Sequence, residues 1–156
     1  MLIENGTARR ENIVEFDLLL KKPRHSCFVG GIEHGTRFSD GVIELMAERG
    51  TYLDPHVGLV WANYQEHKDS FLGTGNYTEA GFARMEEARV AAYDTFRRTV
   101  QHGGVKLIFG SDAVAGAHGR NAEELIARVN DGRQAPMDAI VSATSRAAES
   151  LGMADQ

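Results

Sequence analysis

Short apolar segments that end in a polar residue, each with a helical pattern downstream, recur along this chain and leave few folds open to it. Cys27 to Glu33 (CFVGGIE) runs into His34-Gly35-Thr36, and a helix is expected from about Asp40. Thr51 to Val57 (TYLDPHV) carries β-branched and aromatic residues and precedes a long helical stretch from Thr78. Lys106 to Gly110 (KLIFG) closes at Ser111-Asp112, ahead of a helix beginning near Asn121. Strand then helix, repeated, predicts an α/β fold with a parallel sheet and crossover helices.

The helical signals are specific enough to place boundaries. Val42, Leu45 and Met46 fall at i, i+3 and i+4, and Gly50 supplies a stop. Phe82, Met85, Ala92, Phe96 and Val100 approximate one face of a long helix that Gly103-Gly104 ends. Asn121 is the expected cap of the next helix. Glu123 and Glu124 fall in its first turn, where carboxylates suit the helix dipole, and Gly132 stops it. Pro136 opens a last helix with the stripe Met137, Ile140, Val141, Thr144, Ala148 and Leu151, terminated by Gly152. A loop rich in Gly, Asn and Thr is expected over about residues 70–77. Pro55 lacks a backbone donor and so limits the second strand to a sheet edge or to its own terminus there.

Size and charge narrow the class further. The chain has 156 residues, enough for one domain with a real core. A complete (β/α)₈ barrel typically needs about 250 residues, so that architecture is not expected in full. Lys and Arg number 17 against 22 Asp and Glu, a net charge of −5. That balance argues against a dedicated nucleic-acid binder, whose phosphate contacts need a basic face. The single cysteine, Cys27, cannot form an internal disulfide and reads as a packed thiol. Acidic residues and Asn interrupt any apolar run near the N-terminus, and no stretch approaches the ~20 residues of a membrane span. A cytoplasmic location without membrane contact is the expectation.

In parallel α/β folds, polar residues at the carboxyl ends of strands face the functional side. Three such positions are His34, His56 and Asp112. Imidazole nitrogen and a hard carboxylate oxygen are the ligand set of a catalytic zinc or similar ion, and such an Asp can also accept a proton from an activated water. Spacing alone leaves other readings open: each His as a capping, loop or core group, and Asp112 as an Asx-turn residue. No HExxH, paired CxxC, Walker A or GxSxG motif is present.

Four blocks in order carry a family resemblance. They are Ile32-Glu33-His34-Gly35-Thr36 with Ser39-Asp40 and Glu44 to Gly50; Phe109-Gly110-Ser111-Asp112-Ala113; His118 to Leu125; and Ala143-Thr144, Ala147-Ala148 and Leu151-Gly152. Together they resemble the amidohydrolase superfamily, nearest to imidazolonepropionase and the prolidase-like metal-dependent dipeptidases. The resemblance implies a partial (β/α)₈ TIM barrel, roughly its sixth to eighth βα units. Residues 26–156 would form this partial barrel domain, behind a non-matching N-terminal segment, residues 1–25.

The resemblance also implies site roles. His34 matches the metal ligand after the sixth strand. Asp112 matches the aspartate after the eighth, which binds metal and shuttles a proton to the leaving amine. His118 matches a substrate-contacting position in the loop beyond. Asp54 and His56 depart from the family pattern, with His56 a possible additional ligand on a strand adjacent to those of His34 and Asp112. The family's HxH pair, its bridging lysine and its fifth-strand histidine have no counterpart in this sequence. The implied activity is metal-dependent hydrolysis of C–N bonds in a small amide or dipeptide, with zinc the expected ion. The alternative is a non-catalytic α/β remnant or assembly partner without metal, associating with itself or with a complementing chain.

Overall fold

The computed structural model describes residues 30–155. Strands β1 (Gly31–Glu33), β2 (Tyr52–Asp54) and β3 (Lys106–Leu107) form a parallel sheet in the order β1-β2-β3. Seven helices are described around it: α1 (Asp40–Arg49), α2 (Leu59–Glu66), α3 (Lys68–Phe71), α4 (Glu79–His102), α5 (Ala122–Asn130), α6 (Pro136–Ala143) and α7 (Ser145–Ser150). The class is α/β, with helix outweighing strand. The proposed division at residues 25 and 26, and the start of the first expected strand, lie outside the described residues.

Register builds the core. Ile32 pairs with Leu53, and Leu53 with Leu107, so one apolar row crosses all three strands. All three side chains are buried against Val42, Ile43 and Met46 of α1 and Ala92, Tyr93 and Phe96 of α4. Each fully buried aliphatic side chain contributes about 1.5–3 kcal/mol. The alternate positions Glu33 and Asp54 point the other way, as the two-residue period of a strand requires.

The long-range packing rests on well-made helix ends. Ser39 caps α1 by accepting the Val42 N–H, and Gly50 ends it in the left-handed conformation at φ 65°. Thr78 caps α4 through the Gly81 N–H, and Gly103 closes it at φ 72°. Both helices therefore begin and stop where the sequence signals place them.

Some expectations hold and others need correction. Pro55 takes the second of the two places open to it, following the terminus of β2, the central strand of the described sheet. Its ladder ends at Asp54, so the missing proline donor costs the sheet nothing. The helices α2 and α3 carry no strong periodic pattern and lie where the sequence signals no helix. Asn121 makes no side-chain cap to α5; its Oδ1 instead accepts from the Ser111 hydroxyl at 2.8 Å. The expected last helix breaks at Thr144 (φ −126°, ψ −98°) into α6 and α7. Its apolar stripe is not the buried face: Met137 is 66% exposed and Leu151 73%, while Ala139 and Ser142 are buried. Met137 and Ile140 precede the break; within α6 the small residues Ala139 and Ser142, on the side away from them, take the contact with the rest of the fold.

Candidate metal centre

Each strand hands the chain to a residue in the left-handed region. His34 follows β1 at φ 69°, His56 follows β2 and Pro55 at φ 45°, and Asp112 lies beyond β3 at φ 45°. Among the described residues, Arg133 is the only other non-glycine residue with positive φ. Such a conformation costs an L-residue about 1–2 kcal/mol, although His and Asp adopt it more readily than most. Surrounding contacts hold it in place. The His34 N–H donates to the Asp54 carbonyl at 2.7 Å, and the His56 carbonyl accepts from the Trp61 indole at 3.0 Å. Strained backbone concentrated at three strand ends is the pattern of a functional site.

The turns bring the three side chains together. One ligand atom from each of His34, His56 and Asp112 can be chosen so that all lie within 4.8 Å of one another. The Nδ1 atoms of His34 and His56 are 3.2 Å apart, with the rings nearly perpendicular at 80°. His34 Nε2 stands 3.9 Å from Asp112 Oδ2. His56 is buried, His34 is half-buried and Asp112 is exposed, so the cluster opens to solvent on its Asp112 side. His118 lies exposed on the turn over residues 115–119, outside this convergence.

Behind His56 stands a buried polar network. His56 Nε2 lies 3.0 Å from Asp54 Oδ2. The other Asp54 oxygen accepts from Arg128 Nη2 at 3.3 Å. Arg128 also donates to Glu124 at 3.0 Å and to the Ile108 and Gly110 carbonyls at 2.8 and 3.3 Å. Glu124 accepts three backbone N–H groups as well, from Val57, Gly58 and Leu59 at 2.7–2.9 Å. These amides form the start of α2, where the helix dipole favours a carboxylate. Glu124, in the first turn of its own helix as expected, thus also serves the N-terminus of α2.

Gly110 is required for this arrangement. A methyl group there would run into Asp54 Oδ2 and sit 2.7 Å from His56 Nε2. Asn63, fully buried, donates to the Ala115 carbonyl at 3.0 Å and ties α2 to the loop following Asp112. The phenols of Tyr64 and Tyr77 meet at 3.1 Å. Burial, the Tyr77 contact and the charge of Asp112 push the Tyr64 hydroxyl well above its ordinary range.

The two imidazoles are driven apart in proton affinity. Burial and the neighbouring His56 hold His34 below the ordinary value, only partly offset by Asp112, Glu33 and Asp54. Burial also pulls His56 down, but the hydrogen bond and charge of Asp54, with Asp112 and Glu124, outweigh it and leave His56 raised.

The sequence matches the model of the amidohydrolase family over residues 21–156. The chain belongs to the amidohydrolase family. Among solved structures, it is similar to an amidohydrolase at 26% identity and a TM-score of 0.67, over 80% of this chain and 28% of that one. A Xaa-Pro dipeptidase with methionine bound in its active site is 31% identical with a TM-score of 0.64, over 81% and 30%. A prolidase complexed with N-methylphosphonate-L-proline is 26% identical with a TM-score of 0.68, over 81% and 29%. This amidohydrolase-family chain therefore spans less than a third of the length of each of those proteins. No curated protein sequence matches it.

The donor set suits the divalent ion on which this family generally depends. Two imidazoles and a carboxylate are ligands of catalytic zinc. Two Zn–N bonds of 2.0–2.1 Å at a tetrahedral angle place their nitrogens about 3.3 Å apart, close to the observed spacing of the two Nδ1 atoms. Among the residues that form and support the cluster, the sequence marks His34, His56 and Asp112 by their positions after strands. Glu124 and Arg128 carry no such mark; a buried Glu–Arg pair at i, i+4 reads locally as an ordinary surface pair.

Proposed function

We propose that this chain carries a one-metal hydrolytic site of the amidohydrolase family, with His34, His56 and Asp112 as ligands and a small amide or dipeptide as substrate. The convergence of those side chains at one end of a parallel sheet carries the reading. The likeness to prolidase and Xaa-Pro dipeptidase structures supports a C–N bond as the target. The three parallel strands and their crossovers are read as the sixth to eighth βα units of a TIM barrel, within a partial barrel domain over residues 26–156. Zinc is the expected ion.

When bound, such an ion supplies Lewis acidity toward an amide carbonyl and lowers the pKa of a water. The chain's own residues do the rest. His34 and His56 present neutral nitrogens. Asp112, the most open of the three, accepts the proton of the attacking water and passes it to the departing amine nitrogen. His118 lies further out on the loop after Asp112 and contacts the substrate. Zinc content and titration test this reading. Purified chain should hold about one equivalent and lose it on His34→Ala. Less than about a tenth of an equivalent, with no gain on adding zinc, would sink it.

A second reading has a specific observation in its favour. Ile126, Met137, Ile140, Leu151 and Met153 leave large apolar side chains exposed on α5, α6 and the segment after α7. A chain that associates with itself or with a complementing chain, contributing surface and not chemistry, would cover them. Such a chain would show concentration-dependent mass in sedimentation and no zinc uptake.

A further inference from the structure

We propose that Asp54 and Arg128 are positioning residues that fix the tautomer of His56, keeping its proton on Nε2 and turning the Nδ1 lone pair toward His34. The inference deepens the metal reading above and rests on it only for what that lone pair then binds.

Arg128 decides the polarity. A guanidinium has donors and no acceptor, and it does not deprotonate in proteins. Its Nη2 meets one oxygen of Asp54, and that oxygen must accept. The other oxygen of Asp54 lies 3.0 Å from His56 Nε2 and has no proton of its own when ionised, so it too accepts, and His56 Nε2 must carry the hydrogen. Arg128 is itself held by Glu124 and by the Ile108 and Gly110 carbonyls, with no exposed surface. It cannot swing away and let Asp54 turn over.

His56 Nδ1 then points its lone pair at His34 Nδ1, 3.2 Å away. Two lone pairs at that distance repel unless a proton or a cation lies between them. The relay therefore prepares a site that takes either one. A metal-binding histidine commonly donates its other N–H to a carboxylate, and here the partner comes two residues earlier in the same strand-to-turn segment. The sequence offers no hint of Arg128 in this role, since it lies 74 residues from Asp54.

Asp54→Asn gives a specific expectation. Arg128 can meet only the amide oxygen, which places the amide NH₂ against His56 Nε2. That nitrogen must then accept, and the proton moves to Nδ1. Long-range ¹H–¹⁵N correlation of the metal-free chain, in alkaline buffer where both rings are neutral, reads this directly. The wild-type chain should show His56 protonated on Nε2. The Asp54→Asn chain should show Nδ1 protonated, and its zinc affinity should fall by about 10–100-fold with an unchanged circular dichroism spectrum.

Wild-type His56 protonated on Nδ1, or an Asp54→Asn chain that keeps the Nε2 proton, overturns the relay. Should Asp54→Asn not fold, the wild-type tautomer decides alone. If the tautomers behave as expected but wild-type chain takes up no zinc, the relay stands and the metal reading fails. If zinc binds to the wild type and the tautomer ignores Asp54, the metal reading stands and the relay fails.

Discussion

Glu124 and Arg128 stand one turn apart on α5, joined from Nε to Oε1 at 3.0 Å, with neither side chain exposed. On a solvated helix face such a pair contributes a few tenths of a kcal/mol. Here it is turned inward, and its other donors and acceptors pin α5 to the start of α2 and to the ends of β2 and β3. Removing one partner of a buried pair leaves the other uncompensated, at a cost of about 3–5 kcal/mol. Glu124→Ala should lower the unfolding free energy in urea by about that amount, and Glu124→Gln by less. A loss under about 1 kcal/mol, typical of an ordinary substitution, would show that the pair does not hold these elements together.

Gly110 gives a more local test. Its missing side chain leaves room for the Asp54–His56 contact, so Gly110→Ala must displace one of them. We expect lower stability together with weaker zinc binding. Gly41→Ala is the matched control. Gly41 lies within α1, where a methyl group would meet nothing nearer than 3.9 Å, and alanine should stabilise the chain by up to about 1 kcal/mol without touching the site. Equal zinc affinity in the Gly110→Ala and wild-type chains would contradict the crowding.

In metal-free chain the two site histidines should titrate on opposite sides of the ordinary imidazole value of about 6.5, His34 below it and His56 above it. The stability signs are opposite too. His34 gains its proton more easily when unfolded, so its contribution is present above about pH 6.5 and is lost as pH falls through its folded value. His56 holds its proton more tightly when folded, so its contribution is present below about pH 6.5 and is lost as pH rises through its folded value. Ring-proton NMR titration resolves the two. A reversed order would refute the assigned surroundings.

His118 and His34 should separate binding of metal from binding of substrate. His34→Ala removes a member of the cluster and should abolish zinc uptake. His118→Ala, on an exposed turn outside the cluster, should change zinc affinity and stability by no more than about 0.5 kcal/mol. Parallel calorimetric titrations of the two variants check this. Where hydrolysis of a dipeptide is measurable, His118→Ala should raise KM more than it lowers kcat.

Much of the local structure was legible in the sequence, because its signals act over a few residues. Ser39 and Gly50 bound α1, Thr78 and Gly103 bound α4, and each works through a hydrogen bond or a dihedral within one turn of itself. The alternation of strand and helix gave the parallel sheet, and position after a strand singled out His34, His56 and Asp112. No such local signal marks the break at Thr144 in the final helix, or the start of α2, which Glu124 stabilises from another helix.

The strand-end residues, and the helices whose caps lie within them, can thus be read from the order of amino acids. Tertiary structure alone decided that His56 meets His34, that β2 is the central strand, and that Asp54, Arg128 and Glu124 form one buried chain of contacts behind the cluster. The His56–His34 contact spans 22 positions and the Arg128–Asp54 contact 74. They depend on left-handed turns at the strand ends and on the approach that Gly110 permits, and neither leaves a periodic trace in the order of amino acids.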